Sequence, residues 1–405
     1  MGETKGDDVP ERSKSSTLCR LTLVTLLAAA HPISYEVTDN LILLALSASI
    51  VAAICYAQSC TGAYIASSKW TRPQMRRQAS VAIIVTASLA FCLHGWNGHK
   101  AHPLTADELC SLGQARAFKS FSATLPLTAF SKYEDPTNGC FARSDKGYFS
   151  VQGPGWPALL ATLQMSGISQ ENIPWLIATT TILLTGIAGL IVSGLPVALM
   201  SMVVLANNQF FDEISRSMWS HSACLLFVTM AIVSMLLATS PKTKRQRTAL
   251  SILGVSLGLA MLTRPLVGFS CLTGVMCALT IVRGDTFRFT YRNLLSLLIG
   301  PTLAFFLYGL FNDATTGSFL VSGYEFVHGT GHNPGLFHVA PNGTIHSPER
   351  ALMLLHHHVR HLVQFVLPYR WTFWAVVAVS VTIGWTPRVA ALMVVLCAMW
   401  FGAAT

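Results

Sequence analysis

Two adjacent acids, Asp107 and Glu108, are the sharpest chemical feature of the chain. They follow Thr105 and open a helical stretch, Leu109 to Phe118. Two readings are open. Thr105 with Glu108 three residues on is a capping box, and acids in a first helical turn gain about 0.3 to 1 kcal/mol from the helix dipole. Alternatively, Asp107, ionised and held by that helix end, serves as general base on an acceptor hydroxyl. The capping geometry divides the labour: Glu108 reaches back to the Thr105 amide, and Asp107 is left to face a cavity. On this division Asp107→Asn abolishes activity, while Glu108→Gln keeps the cap and much of the activity.

The basic residues offer anion chemistry. Arg264 stands before Pro265 at the end of an apolar run. It is either a snorkelling side chain that holds a helix end, or a phosphate ligand whose guanidinium fork donates two parallel hydrogen bonds. A charge-assisted bond of that kind contributes on the order of 1.5 to 3 kcal/mol. Arg216 and His221 flank the start of another apolar run, as interfacial residues or as contacts to an anion. Lys146, with Arg143, draws an anionic head group or only solvates its loop. Eight histidines (His328, His332, His338, His346, His356, His357, His358 and His361) invite a metal reading. Only His357 with His361 has i, i+4 spacing, and it lacks the Glu of HExxH. None of the ten cysteines forms a CxxC pair. Cys110 and Cys140 alone lie between residues 97 and 171, as a disulfide or as two free thiols.

These residues must be positioned by a membrane scaffold. The 405 residues are 52% hydrophobic and 11% charged, with mean hydropathy +0.51, far from the roughly 25% charged of a soluble domain. A bilayer span needs about 20 mostly apolar residues. Such runs lie near 41 to 60, 79 to 96, 172 to 192, 194 to 208, 222 to 240, 248 to 263, 265 to 282, 293 to 311, 371 to 386 and 388 to 404. A marginal run from Thr17 to Ile33 brings the expected total to 10 or 11. The fold class is therefore all-α: a polytopic transmembrane helical bundle, with residues 1–78 as an N-terminal tail and extra helices and 79–405 as the main domain.

The net charge of +9 could point to nucleic acid. Its distribution points to topology instead, because Lys69, Arg72, Arg76 and Arg77, then Lys242, Lys244, Arg245 and Arg247, then Arg283, Arg288 and Arg292 occupy loops separated by even numbers of spans. Those loops are assigned to the cytoplasm and no nucleic-acid partner is expected. The loops 97–171 and 312–370 then face outside and carry nine of the eighteen acids, with Asp212 and Glu213 on the same side. Both are too long to be turns. The first is expected to hold membrane-surface helices over Ala106 to Ser120 and Trp156 to Met165, and the second an amphipathic helix near Pro348 to Val366. In a eukaryotic host Asn342-Gly343-Thr344 is a lumenal glycosylation sequon. The protein is placed as a multi-pass membrane protein, in the plasma membrane if bacterial and in the endoplasmic reticulum if eukaryotic.

Asp107-Glu108 after an early span, followed by Gly147 to Pro157 (Gly-Tyr-Phe-Ser-Val-Gln-Gly-Pro-Gly-Trp-Pro), resembles the first external loop of GT-C glycosyltransferases. These include protein O-mannosyltransferases and lipid A aminoarabinose transferases. Further matches follow in order: Ser215 to His221, Leu262-Thr263-Arg264-Pro265, and Asn312 with Thr316-Gly317. Arg216 stands where the family has Gly, and Val151-Gln152 where it has a basic-Tyr pair. The resemblance covers roughly residues 79 to 390. It implies an inverting transfer from a polyprenyl-phosphate-linked sugar to a hydroxyl of a glycan, lipid or protein, with Asp107 catalytic and Glu108, Arg264, His221, Arg216 and Lys146 toward the substrate. The donor is a substrate, no dedicated cofactor is assigned, and a divalent ion on Asp107 and Glu108 stays open because some GT-C enzymes need one. A secondary transporter is the rival class, but it would place ionisable residues at mid-membrane, where these spans have almost none. An inactive GT-C-like scaffold is the other alternative.

Overall fold

The computed structural model describes residues 80–88, 105–129, 141–206, 208–240, 246–282 and 290–329, with 345, 347–350, 352–354, 356 and 357. All of them belong to the unit Ser80–Thr405, one of two into which the chain divides. The other unit, Met1–Ala79, lies outside the described residues. So do Asn342, Cys140, most of the three basic loops and the expected spans at 41 to 60, 371 to 386 and 388 to 404.

Ten labelled helices and one hairpin follow in order: α1 (Ala106–Lys119), β1 (Phe141–Ser144), β2 (Gly147–Ser150), α2 (Gly155–Met165), α3 (Ile173–Ser193), α4 (Leu195–Ala206), α5 (Gln209–Arg216), α6 (Ser220–Ala238), α7 (Gln246–Thr263), α8 (Pro265–Ile281), α9 (Tyr291–Thr316) and α10 (Gly323–His328). The protein is thus a helical membrane protein. Among the described residues, three helical segments are long and apolar enough to cross a bilayer: Gln170–Val192, Ser220–Ala238 and Tyr291–Thr316. α4 has 12 residues, about 18 Å of helix, and falls short of a hydrocarbon core of about 30 Å. Prolines mark the first turns of α3 and α8, where a missing amide hydrogen costs nothing.

The core joins membrane helices to surface helices. Leu250, Leu253, Leu257 and Ala260 of α7 are fully buried with Ile177 of α3, Val228 of α6 and Val275 of α8, and the same cluster contains Leu112 of α1 and Trp156 and Leu160 of α2. α7 packs between α6 and α9. Its approach to α9 is backbone to backbone: a Cβ on Gly258 would sit 2.5 Å from the Gly300 carbonyl oxygen, so small residues set this interface. α1 and α2 lie where the sequence puts surface helices, and Leu112, Trp156 and Leu160 join them to the buried cluster.

The hairpin is a departure from the all-helical expectation. β1 and β2 are antiparallel, pairing Phe141 with Ser150 and Ser144 with Gly147 across Asp145-Lys146. Gly147 has φ +134°, a conformation that side-chain-bearing residues rarely adopt. Phe141, Ala142, Tyr148, Phe149 and Val151 pack on Cys110 of α1 in a small core of their own.

Candidate functional site

The candidate site grows from one main-chain corner, Ser217-Met218-Trp219, between α5 and α6. Met218 is fully buried and pinned from both sides. Its amide donates to Glu108 Oε1 at 2.7 Å, and its carbonyl accepts from Trp156 Nε1 at 2.6 Å. Trp219 Nε1 donates to Thr105 Oγ1 at 3.0 Å. The second oxygen of Glu108 accepts from the Thr105 amide at 2.8 Å and from the Thr105 hydroxyl at 3.0 Å. Glu108 therefore closes the capping box read from the sequence and at the same time ties α1 to the start of α6.

This arrangement revises the expectation for Glu108→Gln. Both carboxylate oxygens accept from donors, on opposite sides. A Gln amide would turn its NH₂ toward a main-chain N–H on one of them, leaving a buried donor unsatisfied. Glu108 is only 1% exposed, so it acts as a clamp more than as a surface acid. The same occupation of both oxygens fits poorly with a metal shared between Asp107 and Glu108. Among the described residues no group of three or more His, Cys, Asp or Glu side chains could hold an ion.

Asp107 is the exposed member of the pair. Its backbone carbonyl accepts from Ser111 Oγ at 2.9 Å, and the same hydroxyl lies 3.4 Å from Gln152 Oε1. The carboxylate itself takes no hydrogen bond or ion pair among the described residues, so it is available to a substrate. Its electrostatic neighbour is Tyr324 of α10.

Arg264 is the N-cap of α8 and makes a short side-chain contact with His221 Nε2. Guanidinium has donors only, so the ring nitrogen facing it accepts, and His221 is neutral in this state. The His221 ring also packs at 5.5 Å on Trp219. Arg264 and His221 thus belong to the same corner as Glu108. The Leu262-Thr263 backbone beside Arg264 comes close to Gly155, where a Cβ would lie 2.6 Å from the Leu262 carbonyl carbon. Only glycine admits that approach, which gives the Pro154-Gly155-Trp156-Pro157 segment its architectural role.

Two expected site residues are engaged elsewhere. Arg216 forms a two-pronged bridge to Asp212 within α5, at 2.7 Å and 2.9 Å. Lys146, at the hairpin turn, donates to the Asp313 carbonyl near the end of α9 at 2.9 Å, where a cation complements the helix dipole. Cys110 is disulfide-bonded; its partner lies outside the described residues. Of the histidines, His328 stacks on Tyr324.

Tyr324 of α10, which the sequence did not single out, is coupled electrostatically to Asp107. Burial, then the Asp107 carboxylate, raise its pKa above the ordinary phenol value, and Arg264 partly opposes them. Its helix did carry a signature: Ser322 accepts from the Glu325 amide at 3.1 Å, the first half of a Ser-x-x-Glu capping pattern. A cavity of about 480 Å³ adjoins the corner, sharing Pro154, Gly155 and Leu262 with it and completed by Phe118, Leu307 and Phe311.

Residues 172–309 match the dolichyl-phosphate-mannose-protein mannosyltransferase family. The resemblance is to the GT-C superfamily. The matched stretch runs from the start of α3 into α9 and contains His221 and Arg264, but neither Asp107 nor Tyr324. No curated protein matches the chain. Among solved structures, the crystal structure of the Archaeoglobus fulgidus oligosaccharyltransferase, tethered to an acceptor peptide containing the NVT sequon, aligns with 15% identity and a TM-score of 0.38 over 83% of this chain and 50% of that one. The chain thus spans half the length of that relative.

Proposed function

We propose that the protein is a GT-C-type membrane glycosyltransferase that moves a sugar from a polyprenyl-phosphate donor to a hydroxyl acceptor at the external or lumenal face, with inversion. One observation carries this reading. Four segments distant in sequence, around Asp107-Glu108, Gly155-Trp156, Met218-His221 and Leu262-Arg264, meet at one corner with an exposed carboxylate and a guanidinium on the same site.

The chemistry follows from those groups. The Asp107 carboxylate takes the proton of the acceptor hydroxyl as its oxygen attacks the anomeric carbon. The bond from that carbon to the phosphate oxygen breaks, and its electron pair leaves with the polyprenyl phosphate. Phosphate is a good leaving group, so positioning and charge stabilisation remain for the protein to supply. Arg264 faces the departing phosphate, and neutral His221 orients its guanidinium. The apolar cavity takes the first isoprene units of the donor, whose tail stays in the membrane.

Radiolabel transfer from a panel of polyprenyl-phosphate sugars to a membrane extract tests the reading. Wild-type membranes transfer label from at least one donor, and Arg264→Gln raises the donor KM about tenfold or more, as loss of a charge-assisted phosphate bond requires. Equal donor KM values for the two would remove Arg264 from the phosphate. No transfer from any donor would favour the scaffold reading.

A further inference from the structure

Asp107 is pinned from both sides of its place in the chain. Glu108, the residue after it, accepts from the Met218 amide at 2.7 Å. Thr105, two residues before it, accepts from Trp219 Nε1 at 3.0 Å. One hydrogen bond alone is a pivot, and a second one displaced along the chain fixes rotation as well as distance. Chemistry sets the directions of these bonds. An indole N–H can only donate and an ionised carboxylate can only accept, so the Thr105 hydroxyl between them spends its one proton on Glu108 Oε2 at 3.0 Å and accepts from Trp219. Trp219 thus ends a chain of three groups that sets where the first turn of α1, with its exposed carboxylate, stands against the start of α6.

The ring of the same residue serves Arg264. Trp219 is the N-cap of α6 and His221 the second residue of that helix. The indole packs on the His221 ring at 5.5 Å with 52° between planes, and His221 Nε2 meets the Arg264 guanidinium. Guanidinium offers donors only, so the accepting ring nitrogen has to stay turned toward it. An imidazole swings about its own side-chain bonds unless another group packs against it, and here that group is the indole.

We propose that Trp219 is a positioning residue that couples the general base to the phosphate ligand: its N–H sets Asp107 through Thr105, and its ring sets Arg264 through His221. This rests on the glycosyltransferase reading and adds the part that keeps base and phosphate ligand in register. Transfer requires the acceptor oxygen, the anomeric carbon and the phosphate oxygen to be aligned, and a misplacement of about 1 Å costs on the order of 10²-fold in rate. The base stands on α1 and the ligand at the start of α8. Trp219 touches one partner of each.

The two links break separately. Trp219→Phe keeps an aromatic ring beside His221 and loses the N–H, whereas Trp219→Leu loses both. Purified proteins are compared at equal folded amounts, for transfer with the donor that wild type uses and for binding with farnesyl phosphate, which carries the phosphate without a sugar. In Trp219→Phe, kcat is expected to fall about tenfold or more, with farnesyl phosphate affinity within about twofold of wild type. In Trp219→Leu that affinity also falls, by about fivefold or more, and in a His221→Ala background the same substitution weakens it no further. A merely structural tryptophan would lower the unfolding temperature and both parameters together, with or without His221. Transfer by Trp219→Phe at the wild-type kcat overturns the link to the base. Equal weakening of farnesyl phosphate by Trp219→Leu with and without His221 overturns the link to Arg264. If Trp219→Leu does not fold, Trp219→Phe decides alone. Absence of transfer by wild type from any donor overturns the glycosyltransferase reading and the base link with it, and the farnesyl phosphate cycle then still decides the link to Arg264.

Discussion

Glu108 and Asp107 are neighbours with opposite surroundings, and that difference sets what their substitution does. Glu108 accepts from Met218 on one oxygen and from Thr105 on the other. Glu108→Gln therefore leaves one buried N–H facing another, at a cost of about 1 to 3 kcal/mol. The expected outcome is a lower unfolding temperature in detergent, with activity lost in proportion to folded protein. An unfolding temperature equal to wild type would mean that the clamp at Met218 is not in force. Asp107 has no such partner, so its amide variant keeps the fold. His221, neutral against Arg264, is best replaced by Gln to retain an acceptor toward the guanidinium; His221→Gln is expected to keep more activity than His221→Ala in the same transfer assay.

At the scale of elements, the end of α1 shows what local geometry demands. The Phe121 amide donates to Phe118 and the Ser122 amide to Ala117, at 2.9 Å and 3.0 Å, the paired bonds of a Schellman ending. That ending places Phe121 at φ +56°, where glycine is the usual residue. The ring is 89% exposed, so little burial is lost by removing it. Phe121→Gly relieves about 1 to 2 kcal/mol of left-handed strain and is expected to unfold at a higher temperature than Phe121→Ala, which keeps the strain. The reverse order would show that this ending is not left-handed in solution. A second element-scale outcome concerns Cys110. Cys140 directly precedes β1, whose Phe141 packs on Cys110, and we propose it as the disulfide partner. Non-reducing peptide mapping should find Cys110 linked to Cys140; a linkage to any other cysteine would overturn the pairing.

The same elements show what the sequence could convey. α1 and α2 were legible because Thr105 with Glu108, and Gly155 with Pro157, are explicit start signals. α3, α6 and α9 were legible because long apolar runs leave little alternative. The hairpin was not, since its strands have four residues each and β2 is buried on both faces, which removes the alternation that marks a strand. α10 was too short to leave a period. At the site, the order of the motifs could be read, but not that Glu108 reaches Met218 across 110 positions. Nor could it be read that Tyr324 comes within electrostatic reach of Asp107, because a single tyrosine carries no local sign of what is folded near it.

For the whole molecule, the basic loops at 69–77, 242–247 and 283–292 predict one orientation. A cysteine introduced at position 244 is expected to resist an impermeant reagent in intact cells, and one introduced at position 145, in the hairpin turn, to react. Labelling at 244 from outside would reverse the orientation and move the proposed chemistry to the cytoplasmic face. The central claim itself is that the exposed Asp107 carboxylate removes the acceptor proton during sugar transfer. Its most direct test is the transfer rate of purified Asp107→Asn, at equal folded protein, from the polyprenyl-phosphate sugar that wild type uses. The account predicts a fall of about 10² to 10⁴-fold with unaltered unfolding temperature; transfer at the wild-type rate would contradict it.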